Sequence, residues 1–421
     1  MLNIENNFVR DHLLEGNFGL EKESLRVLED GSFSHTPHPF PEDNNIVKDF
    51  CENQTEINTG VNKTLEGAVS ELDFHTERIN KTLKGMGEYL WPFSNPSYIK
   101  NEEDISIAVF GGGQSSKALY RAYLAEKYGR YKMTFSGIHF NFSFSEDLLR
   151  IDYESLPRDI SYREYKDDLY LELARRMASY SWILVCVTAA SPLLDSSFFE
   201  KGVYDRDVFT GMSSVRCSEM GYWNDFAPVF DYSGLKEYVQ GIRNYVRRGF
   251  LKSPSELYYP VRLKPPGKNN LETLEREGVN HIELRMFDLN PFEKSGVNIK
   301  DLYFAHLMMV WLASTPAQDF PDKDQVHAVA NFKNAAHYDL KTVKILTPEG
   351  DTFSMVQAAL NVIVMMREFY EELGIDVSDI LDFENSKFTE KENRYAYRVR
   401  EEFKGGFAKK ALALAKERRD G

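Results

Sequence analysis

The sequence predicts an α+β protein built on a mainly antiparallel sheet. Strand-like and helix-like stretches follow one another without a βαβ rhythm. Three short stretches, at 19–23, 136–143 and 281–285, alternate side chains with the two-residue period of half-buried strands. In them Glu21 and Glu23 share a face, as do His139, Asn141 and Ser143, and His281, Glu283 and Arg285. The opposite face of the last two is apolar, with Ile138, Phe140 and Phe142, then Ile282, Leu284 and Met286.

Residues 19–60 read as strands and turns around a Gly/Ser/Pro/His-rich loop at 31–41. Leu65, Val69, Leu72, Ile79, Leu83 and Met86 then recur at helical spacing and predict a long amphipathic helix over 62–89. A glycine-rich loop at 110–114 precedes a helix over 116–128. A second long helix, 163–187, must stop before Ser191-Pro192. The 200–230 region is loop-rich, 235–249 is helical, and 256–264 and 280–287 are strands joined by a polar surface connection. Helices over 299–314 and 352–372 follow, and 391–420 reads as a basic, exposed helix. The expectation is one domain over 1–421, with a helical C-terminal region from about 320.

Composition narrows the function. The 421 residues are 42% hydrophobic and 28% charged, ordinary for a globular protein. A net charge of −14 argues against nucleic acid or an anionic membrane as the main partner. The N-terminus carries no basic and apolar leader pattern, and the most apolar run, 182–190, is too short to span a bilayer. Three cysteines, Cys51, Cys186 and Cys217, lack zinc spacing and fit a reducing cytoplasm.

Convergent carboxylates repel unless cations separate them. Carboxylate oxygens suit Mg²⁺ or Mn²⁺, and an adjacent arginine suits a phosphate. Glu21, Glu23, His139, Glu283 and Arg285 therefore suggest a metal–nucleotide site inside a sheet. Each has a plainer reading: an exposed Glu-x-Glu face, a core histidine, a structural Glu283–Arg285 ion pair. Asp49 and Glu56 extend the acidic set, but an odd number of positions separates them. In one regular strand they would face opposite ways, so both serve only if the segment bends or bulges. The loop at 110–116 lacks the ending of a Walker motif and the spacing of a dinucleotide fingerprint, and reads as a lid or turn.

Several longer segments resemble bacterial glutamate–cysteine ligases. They are GLEKESLRV at 19–27, DFCENQTEINT at 49–59, WPFSNPSYI at 91–99, ALYRAYLAEKYGRYKMTFSGIHFNFSF at 118–144, ASP at 190–192, VRCSEMGYWN at 215–224, ELYYPVRLK at 256–264 and HIELRMFDLNPF at 281–292. The resemblance fades beyond about residue 320. It implies a six-stranded, mainly antiparallel sheet curved into a funnel, surrounded by helices, as in glutamine synthetase-like carboxylate–amine ligases. The ATP-grasp module of the fused bifunctional glutathione synthases is not expected. The implied activity is ATP-dependent joining of the L-glutamate γ-carboxylate to the L-cysteine amino group through a γ-glutamyl phosphate, the first step of glutathione biosynthesis.

The resemblance also assigns roles. It implies metal ligands at Glu21, Glu23, Asp49, Glu56, His139 and Glu283, holding two or three Mg²⁺ or Mn²⁺ ions. Arg285 would contact the transferred phosphate, making Arg285 and Glu283 the catalytic pair. His139, Asn141 and Arg285 would serve ATP, and Phe50, Tyr120, Arg216 and Tyr222 would line the amino-acid pocket, with Arg216 on the cysteine carboxylate. Met133 departs from the Gln of some relatives. The expected partners are L-glutamate, L-cysteine and ATP, with no nucleic acid and no membrane, in a cytoplasmic monomer or weak homodimer. A ligase with another amine acceptor, a metal-dependent hydrolase and a binding module are the alternatives.

Overall fold

A computed structural model describes residues 1–110, 115–316, 322–346 and 352–421. Most of the glycine-rich stretch at 110–116 thus lies outside the described residues. The frame is one sheet of seven strands. They are β1 (Gly16–Val27), β2 (Ile46–Lys48), β3 (Gln54–Asn58), β4 (Tyr89–Leu90), β5 (Ile138–Phe144), β6 (Val261–Lys264) and β7 (His281–Phe287). Their order is β2-β3-β1-β5-β7-β6, and the two-residue β4 pairs with the far end of β1. Every pairing in this sheet is antiparallel. The expected α+β class and six-stranded antiparallel path hold, with β4 as an addition.

One face of the sheet is dry. Phe18, Leu20, Ile57, Ile138, Phe140, Phe142, Ile282 and Leu284 are all buried there. The helix Tyr162–Thr188 packs on β6 and β7, and the helix Ile299–Ser314 packs beside it. Ser161 and Glu164 form a capping box that starts the long helix, which ends at Thr188, ahead of Ser191-Pro192. Lys22 shows the alternation of β1 most sharply. It lies between two outward-facing glutamates yet is 4% exposed and donates to Thr76 Oγ1 at 3.4 Å. Burial, reinforced by Arg418, pushes its ammonium down to about 7.

The register of β5 against β7 slips by one residue between Ile138 and Phe140. Ile138 faces Phe287 while Phe140 faces Leu284, so β7 carries an extra residue at 285–286. Such a bulge resets the alternation. It lets both Met286 (1% exposed) and Phe287 (0%) enter the core while Arg285 stays on the polar face.

Four expectations change. The segment 49–56 is a hairpin rather than one strand, with β2 and β3 paired so that Val47 opposes Glu56. The strand expected over 256–264 is regular only from Val261, after a short 3₁₀ turn at Pro254–Glu256. The connection before β7 contains a helix, Leu271–Glu277. The basic C-terminal stretch is two helices, Tyr395–Phe403 and Phe407–Asp420, broken at Gly405 and Gly406, both at positive φ. Nor is it simply exposed. Val399, Phe403, Phe407, Ala411 and Ala415 are buried in a second core cluster with Trp91 and Phe93. The break turns each short helix so that its apolar stripe meets those rings.

Candidate metal and nucleotide site

The polar face of the sheet gathers the predicted side chains. β1 is the hinge of the arrangement, because it pairs with β3 on one side and β5 on the other. Register sets Glu21 opposite His139 and Glu23 opposite Glu56. Across the next pairing Asn141 faces Glu283, and Glu283 faces Arg262 on β6. Seven groups from five strands thus meet on neighbouring positions of one surface.

His139, 6% exposed, lies at the centre. Its Nδ1 is 2.9 Å from Glu21 Oε2 and 3.8 Å from Glu283 Oε1, and its Nε2 is 3.9 Å from Glu23 Oε1. Asn141 Nδ2 donates to Glu21 Oε1 at 3.0 Å. Ligand atoms of Glu21, His139 and Glu283 all fall within 4.8 Å of one another. Two carboxylates and an imidazole at that spacing are a donor set for a hard or borderline divalent ion.

Glu283 is fully buried and doubly paired. Lys264 Nζ is 2.8 Å from its Oε1, and Arg285 Nη1 donates to its Oε2 at 3.0 Å. Burial alone would raise its pKa, but Arg285, then Lys264, hold it well below the usual carboxylate range. Glu21 is also lowered: burial and Glu283 push it up, and the His139 hydrogen bond and charge outweigh them.

The second half of the site behaves in the opposite way. Glu23 is 7% exposed, and burial with the charge of Asp49 lifts it to about 8, against Arg216, Arg285 and the Gly137 N–H donated to its Oε2 at 3.0 Å. Glu56 is raised well above its ordinary value by burial, then by Asp49, Glu21 and Glu23. Nearby arginines offset only part of this for Glu23, and a divalent ion would supply the missing positive charge. The hairpin explains Asp49. Glu56 opposes Val47, and Asp49 lies two residues on, so it reaches the same face with no bulge in a strand. Its N–H bonds Gln54 O at 3.3 Å, and Arg121 Nη2 is 3.7 Å from its Oδ1.

The predicted pocket residues gather beside this cluster. Phe50, 2% exposed, shares a core cluster with Met133, against which Tyr120 and Tyr222 pack. The Tyr120 hydroxyl has no hydrogen-bond partner among the described residues, and burial pushes it up to about 12. Tyr222 meets Tyr258 edge-on at 4.8 Å. Its phenol also rises to about 12, through burial and then the nearby Glu23. Arg216, Tyr222, Tyr258 and Arg285 help line a cavity of about 30 Å³.

Arg216 is more heavily engaged than a free carboxylate receptor. Its Nη1 donates to Arg285 O at 3.1 Å and its Nη2 to Phe287 O at 2.6 Å, while Nε lies 3.4 Å from Asp288 Oδ1. The guanidinium passes so close to Gly137 that a Cβ there would sit 2.6 Å from Cζ. It fastens the 213–222 loop to the end of β7, leaving one N–H on each terminal nitrogen.

Lys264 and Arg262 were not singled out from the sequence. They sit two apart on β6 and flank Glu283, and the same alternation that marks Glu283 and Arg285 is present in Val261–Lys264. Finding them needs the knowledge that β6 and β7 are neighbours.

Comparisons with known proteins place the chain in a family and a fold. The sequence profile of a family described as glutamate–cysteine ligase matches residues 1–250 and 246–335. The glutathione biosynthesis bifunctional protein GshAB of Clostridium perfringens is 36% identical over 335 residues, 76% of this chain and 43% of that protein. The protein of that name from Listeria monocytogenes is 35% identical over 379 residues, 87% of this chain and 49% of that protein. The chain spans about half the length of the curated relatives it matches. A bifunctional glutathione synthetase structure from Pasteurella multocida superposes on 99% of this chain and 54% of its own, with a TM-score of 0.85 and 28% identity. A glutamate–cysteine ligase from Francisella tularensis, in complex with AMP, has a TM-score of 0.86 over 96% of this chain and 88% of its own. At 22% identity it speaks for the fold. No helix among the described residues is long and apolar enough to cross a membrane. With the family profile running from residue 1 to 335 and relatives more than a third identical over most of its length, the chain belongs to the glutamate–cysteine ligase family.

Proposed function

We propose that this chain ligates the γ-carboxylate of L-glutamate to the amino group of L-cysteine at the expense of ATP, giving γ-glutamylcysteine, ADP and phosphate. The observation that carries this reading is the placement of Glu283. It is fully buried between Lys264 and Arg285 and lies within ligand distance of Glu21 and His139.

A carboxylate is a poor electrophile, so it must be activated before an amine can attack. In the proposed reaction a γ-carboxylate oxygen attacks the γ-phosphorus of ATP, the bond to ADP breaks, and an acyl phosphate forms. The cysteine nitrogen then attacks the acyl carbon, phosphate departs, and the nitrogen loses a proton. Mg²⁺ or Mn²⁺, held by Glu21, His139 and Glu283 and by Glu23, Asp49 and Glu56, would offset the phosphate charge and polarise the γ-phosphoryl group.

The chain's own residues do the rest. Arg285 and Lys264 would neutralise charge on the equatorial oxygens, since both already point at the Glu283 carboxylate. His139 and Asn141 would border the nucleotide. Arg216, Tyr120 and Tyr222 would orient the amino-acid substrate, with Phe50 as an apolar wall. The two free N–H groups of Arg216 suffice for one carboxylate.

The test is phosphate release with Mg²⁺, ATP and L-glutamate, with and without L-cysteine, the product identified by mass. Cysteine-dependent release with γ-glutamylcysteine formed is the expected result. Release driven by another amine and not by cysteine would replace the acceptor, and release without any amine would indicate a hydrolase.

A further inference from the structure

Behind the amino-acid pocket one carboxylate ties separate segments of the chain together. Glu256 ends the 3₁₀ turn Pro254–Glu256, and its side chain is 0% exposed. Its Oε1 accepts from Lys127 Nζ at 2.6 Å, from the Tyr128 hydroxyl at 2.8 Å and from the Tyr123 hydroxyl at 3.2 Å. Its Oε2 accepts the backbone N–H of Lys252 at 2.5 Å. The three side-chain donors all lie on the last two turns of the helix Ser115–Tyr128. Tyr120 shares a helix face with Tyr123 and Lys127, one turn earlier, and its ring stacks on Tyr123 at 6.4 Å.

The connections continue to the opposite wall of the pocket. Asn224, two residues after Tyr222, donates through Nδ2 to the Tyr128 hydroxyl at 3.2 Å and to Glu256 O at 2.8 Å. Its Oδ1 accepts the N–H of Tyr258 at 2.9 Å. The Tyr258 ring meets Tyr128 edge-on at 5.3 Å and Tyr222 at 4.8 Å. Arg262, which opposes Glu283, donates to the carbonyls of Ser255 and Leu257 on either side of Glu256. A buried ion pair adds little stability over apolar packing, but it selects which groups meet.

We propose that Glu256 is a positioning residue for the amine substrate: it holds the helix that carries Tyr120 against the segment that carries Tyr258, and so sets the span of the amino-acid pocket. This role rests on the ligase reading. Without the carboxylate, the Lys127 ammonium and two phenols lose their common acceptor. The end of the helix then shifts, and Tyr120 moves relative to Arg216 and Tyr222. Arg121 Nε donates to Asp49 O at 2.8 Å, so the middle of the helix keeps its hold on the metal half of the site. The metal and nucleotide groups carried by the sheet strands stay in place. Capture of the amine weakens while phosphoryl transfer continues.

The test is steady-state kinetics and amide hydrogen exchange on the full chain. Glu256→Gln should raise KM for L-cysteine about tenfold, keep kcat and KM for ATP within about twofold of wild type, and speed exchange over 115–128. Lys127→Met should give the same pattern, and the double variant should be no worse than either single one, because the two residues share one interaction. Lys127→Arg, which keeps the charge and a donor, should restore most of the affinity. An unchanged KM for L-cysteine in a folded Glu256→Gln protein, a loss confined to kcat, or additive effects of the two substitutions would each overturn the proposal. If Glu256→Gln does not fold, Lys127→Met decides by the same KM criterion. A wild-type chain without amine-dependent turnover would instead remove the ligase reading, and the positioning role with it.

Discussion

Metal binding at this site should be strongly coupled to protons, and Glu23 sets the size of the effect. Its carboxyl is lifted to about 8 because it is buried beside Asp49. At pH 8 about half of such groups are ionised, and at pH 6 about one in a hundred. A divalent ion needs the ionised form, so it must displace a proton over most of that range. For Glu23 alone the affinity should fall about 50-fold between pH 8 and pH 6, equivalent to ~2.3 kcal/mol. Glu56, raised in the same direction, adds to this. Stability should move the other way in the metal-free protein. A carboxyl whose folded pKa lies above its unfolded value stabilises the fold at low pH, and that contribution is lost as pH rises through about 8. Added metal should reverse the loss. The assay is calorimetric titration of Mn²⁺ at pH 6, 7 and 8 in buffers of different ionisation enthalpy, which counts the protons released. Glu23→Gln should flatten the dependence. A pH-independent affinity with no proton release would refute the electrostatic account of this cluster.

Three further outcomes follow from the geometry. Glu283→Gln should lower kcat by about 10²–10³ while circular dichroism shows a folded chain, and near-normal turnover at saturating metal would remove Glu283 from the ligand set. Arg216→Ala should cost about 3 kcal/mol in urea unfolding as well as activity, because two buried carbonyls lose a charged donor; Arg216→Lys should not restore it, lacking the planar fork, and unchanged stability would make the residue a substrate contact alone. Glu88→Ala should cost about 3–5 kcal/mol, since it strands Arg26, fully buried and paired to Glu88 at 2.8 Å; a loss under about 1 kcal/mol would mean the pair behaves as a surface one.

Much of the site was legible in the sequence because strand alternation is local. Glu21 and Glu23, His139 and Asn141, and Glu283 and Arg285 each share a face by spacing alone, and each pair lies on the polar side of the sheet. Long helices were legible for the same reason, since 3.6-residue periodicity needs no partner. Segments whose apolar residues wait for a distant partner were less legible. Val399 and Phe407 look like stray apolar positions in a basic stretch until Gly405 and Gly406 fold them onto Trp91 and Phe93.

The sequence by itself determined the residue types of the site, their pairing within strands and the family. Only the tertiary structure decided which strands are neighbours, and with that the chemistry of each group. Asp49 and Glu56 share a face because a hairpin returns β3 alongside β2. Lys264 pairs with Glu283 because β6 lies next to β7. Arg216 turns to the carbonyls of β7, and Glu283 and Glu23 shift in opposite directions although both are buried glutamates. The physical reason is that alternation within a strand is a property of consecutive residues. A carboxylate's charge state depends on groups within a few ångströms, most of which here lie tens to hundreds of residues away along the chain.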